Sequence, residues 1–335
     1  MPLKSYGVLI GRAVDRRRES DADSPHFQIC VADDAGVQYR LAVNVKSQLA
    51  PSELLYLIDD DLKHPVTAAL GGRPAGWHAL PPHPGGPNLD FIRGNLFDPA
   101  RMRPLPFDVS GPDNDLADLI DHYVHRAIGD PAALVYAFGE RWGPERNTRD
   151  KIFGFLPGNG VHDIHMNQGN SGRFRADDGV WQDGALLIQL AGESRWVGIF
   201  LAFQSQAWHT DDTSGHAIDG IPQRPESTDA LVRIVAARVN PVGPAPEDET
   251  VLLLNVSPHE IDLTGWRIAD RMDNSCLIPV AALPAGATVN VHVSNGVQLG
   301  NKGGTITLLD TAGLKVSGVS YTADQARREG WTIAF

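Results

Sequence analysis

Residues 161–170 read VHDIHMNQGN, with two histidines, an aspartate, two asparagines and a glutamine around three apolar side chains. So many hydrogen-bonding groups between apolar segments need partners if they are buried, and a ligand pocket is one way to supply them. In a strand, Asp163, His165 and Asn167 share one face, and His162, Ile164, Met166 and Gln168 share the other. A short helix would align His162 with His165 and Met166, but glycines at 158, 160, 169 and 172 leave it little room. The strand reading makes His165 the candidate nucleophile, base or metal ligand. Asp163 then fixes its tautomer, and His162 is a further catalytic candidate. Asn167, Gln168 and Asn170 offer donors and acceptors to an oxyanion or phosphate, and the Gly-rich turn after them brings Arg173 and Arg175 to an anionic group.

A second polar cluster, WHTDDTSGH, spans 208–216. His209, Asp211, Asp212 and His216 offer two ring nitrogens and two carboxylates, a composition that suits a divalent metal ion such as Zn, Mn or Fe. The spacing fits no named signature, and a solvated turn capped by Asp and Ser is the plainer alternative. Just upstream, Gln204 and Gln206 project from one face of a strand end, where they would meet a polar substrate. The chain has no GxSxG elbow, no GKS or GKT loop, no CxxC and no HExxH. Neither Cys30 nor Cys276 has a neighbouring histidine, which argues against cysteine nucleophile chemistry. Two functions fit these groups. One is a hydrolase of phosphoester bonds, of phosphodiesterase or nuclease type; the other is a non-catalytic protein that recognises a small polar or anionic ligand.

The elements that must position these groups are mostly strands. YGVLIG (6–11), HFQICVAD (26–33) and VQYRLAVNVKS (37–47) are strand-like, the last two joined by a DDAG turn suited to a hairpin. RRRESDADSP between the first two reads as a solvated loop. Pro51 suits the first turn of a helix through SELLYLIDDDL (52–62), and GGRPAGWHALPPHPGGP (71–87) is too rich in Pro and Gly for regular structure. Leu116, Leu119, Ile120, Tyr123, Val124 and Ala127 repeat on one face of a helix over 114–130, capped by Asp113 or Asn114 and ended at Gly129. Asp118, Asp121, His122, His125 and Arg126 then fall on a solvated face. Strands are expected at 133–139, 152–156, 185–190 and 195–208, and PGNG (157–160) is the expected turn of a hairpin between 152–156 and 161–166.

At 335 residues the chain is long enough for two domains, and 42% hydrophobic against 21% charged residues describes a folded, loop-rich chain. Its net charge of −12 disfavours, without forbidding, a nucleic-acid partner or an anionic membrane. The N-terminus carries no signal-peptide pattern and no window is apolar enough for a membrane span. With only two cysteines, a cytoplasmic protein is expected. NPVGPAPEDE (240–249) reads as a linker between an N-terminal domain (1–239) and a C-terminal domain (250–335). The first is expected to be α+β and strand-dominated. The second has short period-2 strands with regular turns, and DLTGW places Gly265 in a tight turn with Trp266 in the core.

Two resemblances sharpen this division. LLLNVS, IDLTGWRIAD, LPAG, LGNKGGTITLLD and VSYTADQARREGWTIAF resemble a lamin-tail domain over 250–335. That implies an all-β immunoglobulin-like sandwich with a binding or tethering role toward a protein partner, often found beside nucleases or other hydrolases. YGVLIG, YRLAVNVKS, SELLY, NDL, YAFGERWGP, GVHDIHMNQGN, WQDGALLI and FLAFQSQAWHTDD are similar to the uncharacterised bacterial YukJ-like family over about 3–220. This likeness implies no activity. It does imply that 161–170 and 204–212 are distinctive polar elements.

Overall fold

The computed structural model describes residues 6–19, 26–46, 54–80, 94–98, 101–105, 115–163, 184–203, 231–244, 247–311, 313 and 315–335. The N-terminal half contains β1 (Tyr6–Arg18), β2 (His26–Ala32), β3 (Gln38–Asn44), β4 (Leu54–Asp59), α1 (Pro65–Leu70), β5 (Gly76–Ala79), β6 (Arg103–Pro104), α2 (Asp115–Gly129), β7 (Leu134–Glu145), β8 (Gly158–His162), β9 (Gly184–Leu190) and β10 (Arg195–Phe203). The strands follow the order β5-β1-β2-β3-β8-β7-β9-β10-β4-β6, and β1 also pairs with β7. That extra pairing closes β1-β2-β3-β8-β7 into a five-stranded barrel. β1 serves both sides because it kinks at a bulge between Ala13 and Asp15, its first half on β7 and its second on β2. β3 and β8 run parallel while their other neighbours are antiparallel, and α2 enters just before β7. This is the arrangement of an OB-type barrel.

Phe27, Ile29, Val31, Leu41, Val43 and Val161 fill the barrel, and α2 covers it with Leu116, Ile120, Val124 and Ala127. The helix face expected from the sequence is therefore the face that is buried. Its polar side is more than solvated: Asp121 holds Arg16 at 2.6 Å and Asp118 holds Arg18 at 2.7 Å, tying the helix to β1. The extension β7-β9-β10-β4 has a second apolar layer on its other face, where Tyr136, Phe138, Leu187, Phe200, Leu55 and Leu57 meet Val66 and Leu70 of α1. Strands covered on both faces read as continuous apolar runs.

That double cover explains one correction. The LLYLI run expected as helix is β4, with Leu54 and Tyr56 in one layer and Leu55 and Leu57 in the other. Arg16, Arg17 and Arg18 are strand residues paired with β2, and Gly76–Ala79 is a strand on β1. Gly158 and Gly160 belong to β8, while 151–153 form a turn, so the expected hairpin around PGNG is absent from the described residues. A Cβ on Gly160 would stand 2.1 Å from the Trp142 ring and 2.2 Å from the Arg40 carbonyl, so these glycines mark a close approach between strands.

Among the described residues, the C-terminal region is all-β except for one short helix. It comprises β11 (Val232–Arg238), β12 (Thr250–Asn255), β13 (Ile261–Asp262), β14 (Arg267–Asp270), β15 (Ser275–Leu277), β16 (Ala282–Leu283), β17 (Thr288–His292), β18 (Gly303–Leu309), β19 (Lys315–Thr322), α3 (Ala323–Ala326) and β20 (Ile333–Ala334). Two four-stranded sheets, β17-β12-β11-β20 and β15-β14-β18-β19, enclose one core that includes Val251, Leu253, Ile268, Ile306 and Tyr321. Trp266 packs half-buried at the edge of that core, and Gly265 takes φ +79 in its turn. β11 pairs along its length with β12. The segment 240–249 expected as a linker thus connects two strands of one sheet.

Candidate functional site

The face of β2, β3, β8 and β7 turned away from the barrel core carries polar groups, of which Gln28, Arg40, Asn44, Asp150 and Asp163 are buried, and register shows why they meet. Gln28 stands opposite Ala42, His26 opposite Asn44, Ala42 beside His162, and Glu140 opposite His162. A continuous network crosses this face. Gln28 donates from Nε2 to Glu19 Oε2 at 3.0 Å and accepts from Arg40 Nη1 at 2.9 Å. Arg40 donates from Nε to Asp150 Oδ2 at 2.6 Å, and its guanidinium lies over the Trp142 ring at 4.6 Å. Asp150 Oδ1 also accepts from the N–H groups of Ile152 and Phe153. Burial would raise the Asp150 carboxyl, but the Phe153 N–H, the Arg40 guanidinium and the Ile152 N–H outweigh it and leave Asp150 below the usual carboxylate range.

The network ends at a rim where two imidazoles meet. The rings of His26 and His162 lie edge to face, with centroids 4.7 Å apart and planes at 84°. Each has a carboxylate beside Nδ1: Glu19 Oε2 at 3.7 Å from His26 and Asp163 Oδ1 at 3.7 Å from His162. Glu19 also accepts from the His26 N–H at 3.1 Å. Burial pushes the Glu19 carboxyl up, while hydrogen bonds from Gln28 and the His26 N–H bring it to a net value below its ordinary one. Asp163 is more firmly engaged. Its N–H donates to the Ala42 carbonyl at 3.2 Å, and its carboxylate accepts from the Asn44 N–H at 3.2 Å and from Asn44 Nδ2 at 3.4 Å. It therefore fastens the end of β8 to β3.

The topology also fixes where the chain leaves this rim. β1 lies along one edge of β7, so β8 and β9 share the other edge end to end. His162 stands opposite Glu140 and Ala185 opposite Phe138, so the chain departs after Asp163 and returns at Gly184 within about 7 Å along the edge, given the rise of a strand. On the far side of β9, Leu201 pairs with Gly184, which carries Phe203 to the same end of the sheet.

Of the expected site residues, the structure brings His162 and Asp163 into this rim. His165, Asn167, Gln168, Asn170 and Arg173, with Gln204, Gln206, His209, Asp211 and Asp212, lie outside the described residues. Among the described residues, no group of three or more His, Cys, Asp or Glu side chains is arranged to hold a metal. Sequence reasoning missed His26, Glu19, Gln28, Arg40 and Asp150. A signal for three of them was present: His26 and Gln28 alternate with Phe27 and Ile29, and Arg40 interrupts an apolar strand, so period 2 puts them on an outer face.

Comparison with known proteins assigns two parts of the chain to different family models. The family model for an uncharacterized conserved protein, DUF2278, matches residues 1–215, and the lamin tail domain model matches 227–323. The chain is 46% identical over 221 residues to the uncharacterized protein YukJ of Bacillus subtilis strain 168, which spans 65% of this chain and 96% of that relative. No solved structure matches the chain.

Proposed function

We propose, from the premise that the chain belongs to the DUF2278 family, that its N-terminal domain hydrolyses a phosphoester at the His26–His162 rim. The observation that carries this reading is the edge-to-face pair of imidazoles, each with a carboxylate 3.7 Å from Nδ1. In such a pair, a neutral imidazole takes the proton of the attacking water while a protonated one delivers a proton to the leaving oxygen. The carboxylates set which ring nitrogen holds the proton. OB-type barrels bind oligonucleotides and oligosaccharides on the face of their second and third strands, and His26, Gln28 and Arg40 lie on that face here. His165 and the amides of Asn167, Gln168, Asn170, Gln204 and Gln206, with Arg173, are proposed to complete the site from chain segments that begin at the rim. A divalent metal on His209, Asp211 and Asp212 is part of the same proposal.

A second reading, binding of a small polar or anionic ligand without catalysis, draws on Asp163. Its carboxylate is engaged by Asn44, which leaves His162 with a more distant orienting partner. The C-terminal region is proposed to be an immunoglobulin-like sandwich of lamin-tail type that meets a protein partner, supported by its two sheets over one core. A cytoplasmic location is proposed as well, supported by the free, buried thiols of Cys30 and Cys276.

The test is hydrolysis of bis(p-nitrophenyl) phosphate by the full chain and by His26→Gln and His162→Gln variants of confirmed fold. Removal of an acid or base is expected to cost about 10²–10⁴ in rate. Activity equal in all three proteins would exclude the histidine pair, and inactivity of the native chain with retained anion binding would favour the second reading.

A further inference from the structure

Residues 94–98 form a short segment between α1 and β6 that is held from two sides. His64, whose Nδ1 accepts the Val66 N–H at the start of α1, donates from Nε2 to the Gly94 carbonyl at 2.8 Å. Leu96 and Phe97 sink into the second apolar layer, with the Phe97 ring 4.8 Å from that of Phe200. Between these anchors, Asn95 takes a left-handed φ of +47, a conformation that asparagine tolerates better than most residues. Its side chain enters the C-terminal sheet and is 2% exposed. There Nδ2 lies 3.0 Å from the Ile306 carbonyl, 2.8 Å from Thr307 Oγ1 and 3.4 Å from the Val319 carbonyl.

The opposing strand is shaped for it. A Cβ on Gly318 would stand 2.0 Å from Asn95 Oδ1 and 2.5 Å from its Cγ, so only glycine leaves room for the carboxamide. The groups around Nδ2 are two carbonyls, which demand a donor, and a hydroxyl, which can accept one. A buried carboxamide without partners would be costly, and these acceptors meet its N–H groups.

We infer that the β18–β19 sheet of the lamin-tail domain is a receptor for the side-chain carboxamide of Asn95, and that this contact docks the two domains as one body. The lamin-tail domain is then an intrachain partner of the N-terminal sheet and is not a freely tethered module. The pocket discriminates by hydrogen-bond polarity: aspartate has nearly the same shape as asparagine, but it presents a carboxylate to two backbone carbonyls and is rejected.

Two experiments on the full chain test this. The Cβ of residue 95 and a Cβ placed at 318 lie at most about 4 Å apart, within the span of a disulfide. Mild oxidation of an Asn95→Cys, Gly318→Cys double variant is therefore expected to give monomer carrying a 95–318 disulfide, identified by peptide mass. Absence of that bond, or its formation only between copies, would overturn intrachain docking. In case the double variant fails to fold, Asn95→Asp provides the second arm. Faster amide hydrogen exchange is expected across 303–322, with exchange in β1–β3 unchanged. Identical exchange at 303–322 in the Asn95→Asp and native chains would equally overturn the inference.

Discussion

His64 and Glu249 are both buried, and their protonation acts on stability in opposite directions. Burial lowers the His64 imidazole to about 4 against the hydrogen bond to Gly94, so the unfolded chain binds the proton more readily. Stability from this residue is therefore lost as pH falls from the ordinary histidine value toward 4. Burial raises the Glu249 carboxyl to about 7, opposed by the Leu299 N–H and assisted by the charges of Glu247 and Asp270. Here the folded state holds the proton, so stability is present at low pH and is lost as pH rises to about 7. Each shift is worth about 3 kcal/mol, so the two nearly cancel between pH 5 and 6.5. A Glu249→Gln chain is accordingly expected to gain stability from pH 5 to 6.5 in urea unfolding, where the native chain is nearly flat. The same profile in both would contradict this account. Neither residue was legible as buried from sequence, because His64 precedes Pro65 in a short connection and Glu249 ends an acidic loop. At this scale the sequence marks residue types that can do chemistry, such as His162 and Asp163, while their partners His26 and Asn44 depend on strand register.

Among the elements, α2 was legible because six apolar residues repeat at one helical spacing over a long window. β4 was not, since a short apolar run covered on both faces has no period to distinguish it from a helix. The glycines of β8 were misleading for a related reason: local reading assigns PGNG to a turn, yet a Cβ on Gly160 would stand 2.2 Å from the Arg40 carbonyl. In β7, a Cβ on Gly139 would stand 1.8 Å from the His162 carbonyl, where the barrel closes beside the rim. Gly139→Ala and Gly160→Ala are expected to cost about 3 kcal/mol or more, because the obstructing atoms include backbone that cannot swing away. Gly129→Ala meets nothing within 4 Å and is expected to be neutral or slightly stabilising. Denaturant midpoints for the three variants decide the matter, and equal midpoints would mean that the strands do not approach as described.

For the whole molecule, two units were legible from the change in strand pattern near residue 250, and both lamin-tail and YukJ-like resemblances agree with the family models matched. Closure of the barrel was not legible. It depends on β1 reaching β7 across more than a hundred residues, and on a parallel pairing of β3 with β8 that no local motif encodes. Nor was the membership of β11 in the C-terminal sheet, because Pro and Gly in 240–249 look alike in a linker and in a loop between strands. These non-local pairings gather His26, His162, Glu19 and Asp163 at one rim, and the central claim is that this rim is where the substrate sits.

The most direct test is side-chain NMR of the histidines in the ¹⁵N-labelled full chain, titrated with inorganic phosphate. The account predicts that the His26 and His162 ring signals shift together with one saturation curve, and that His162→Gln removes the response of His26. Signals of both rings that stay fixed at saturating phosphate would contradict it.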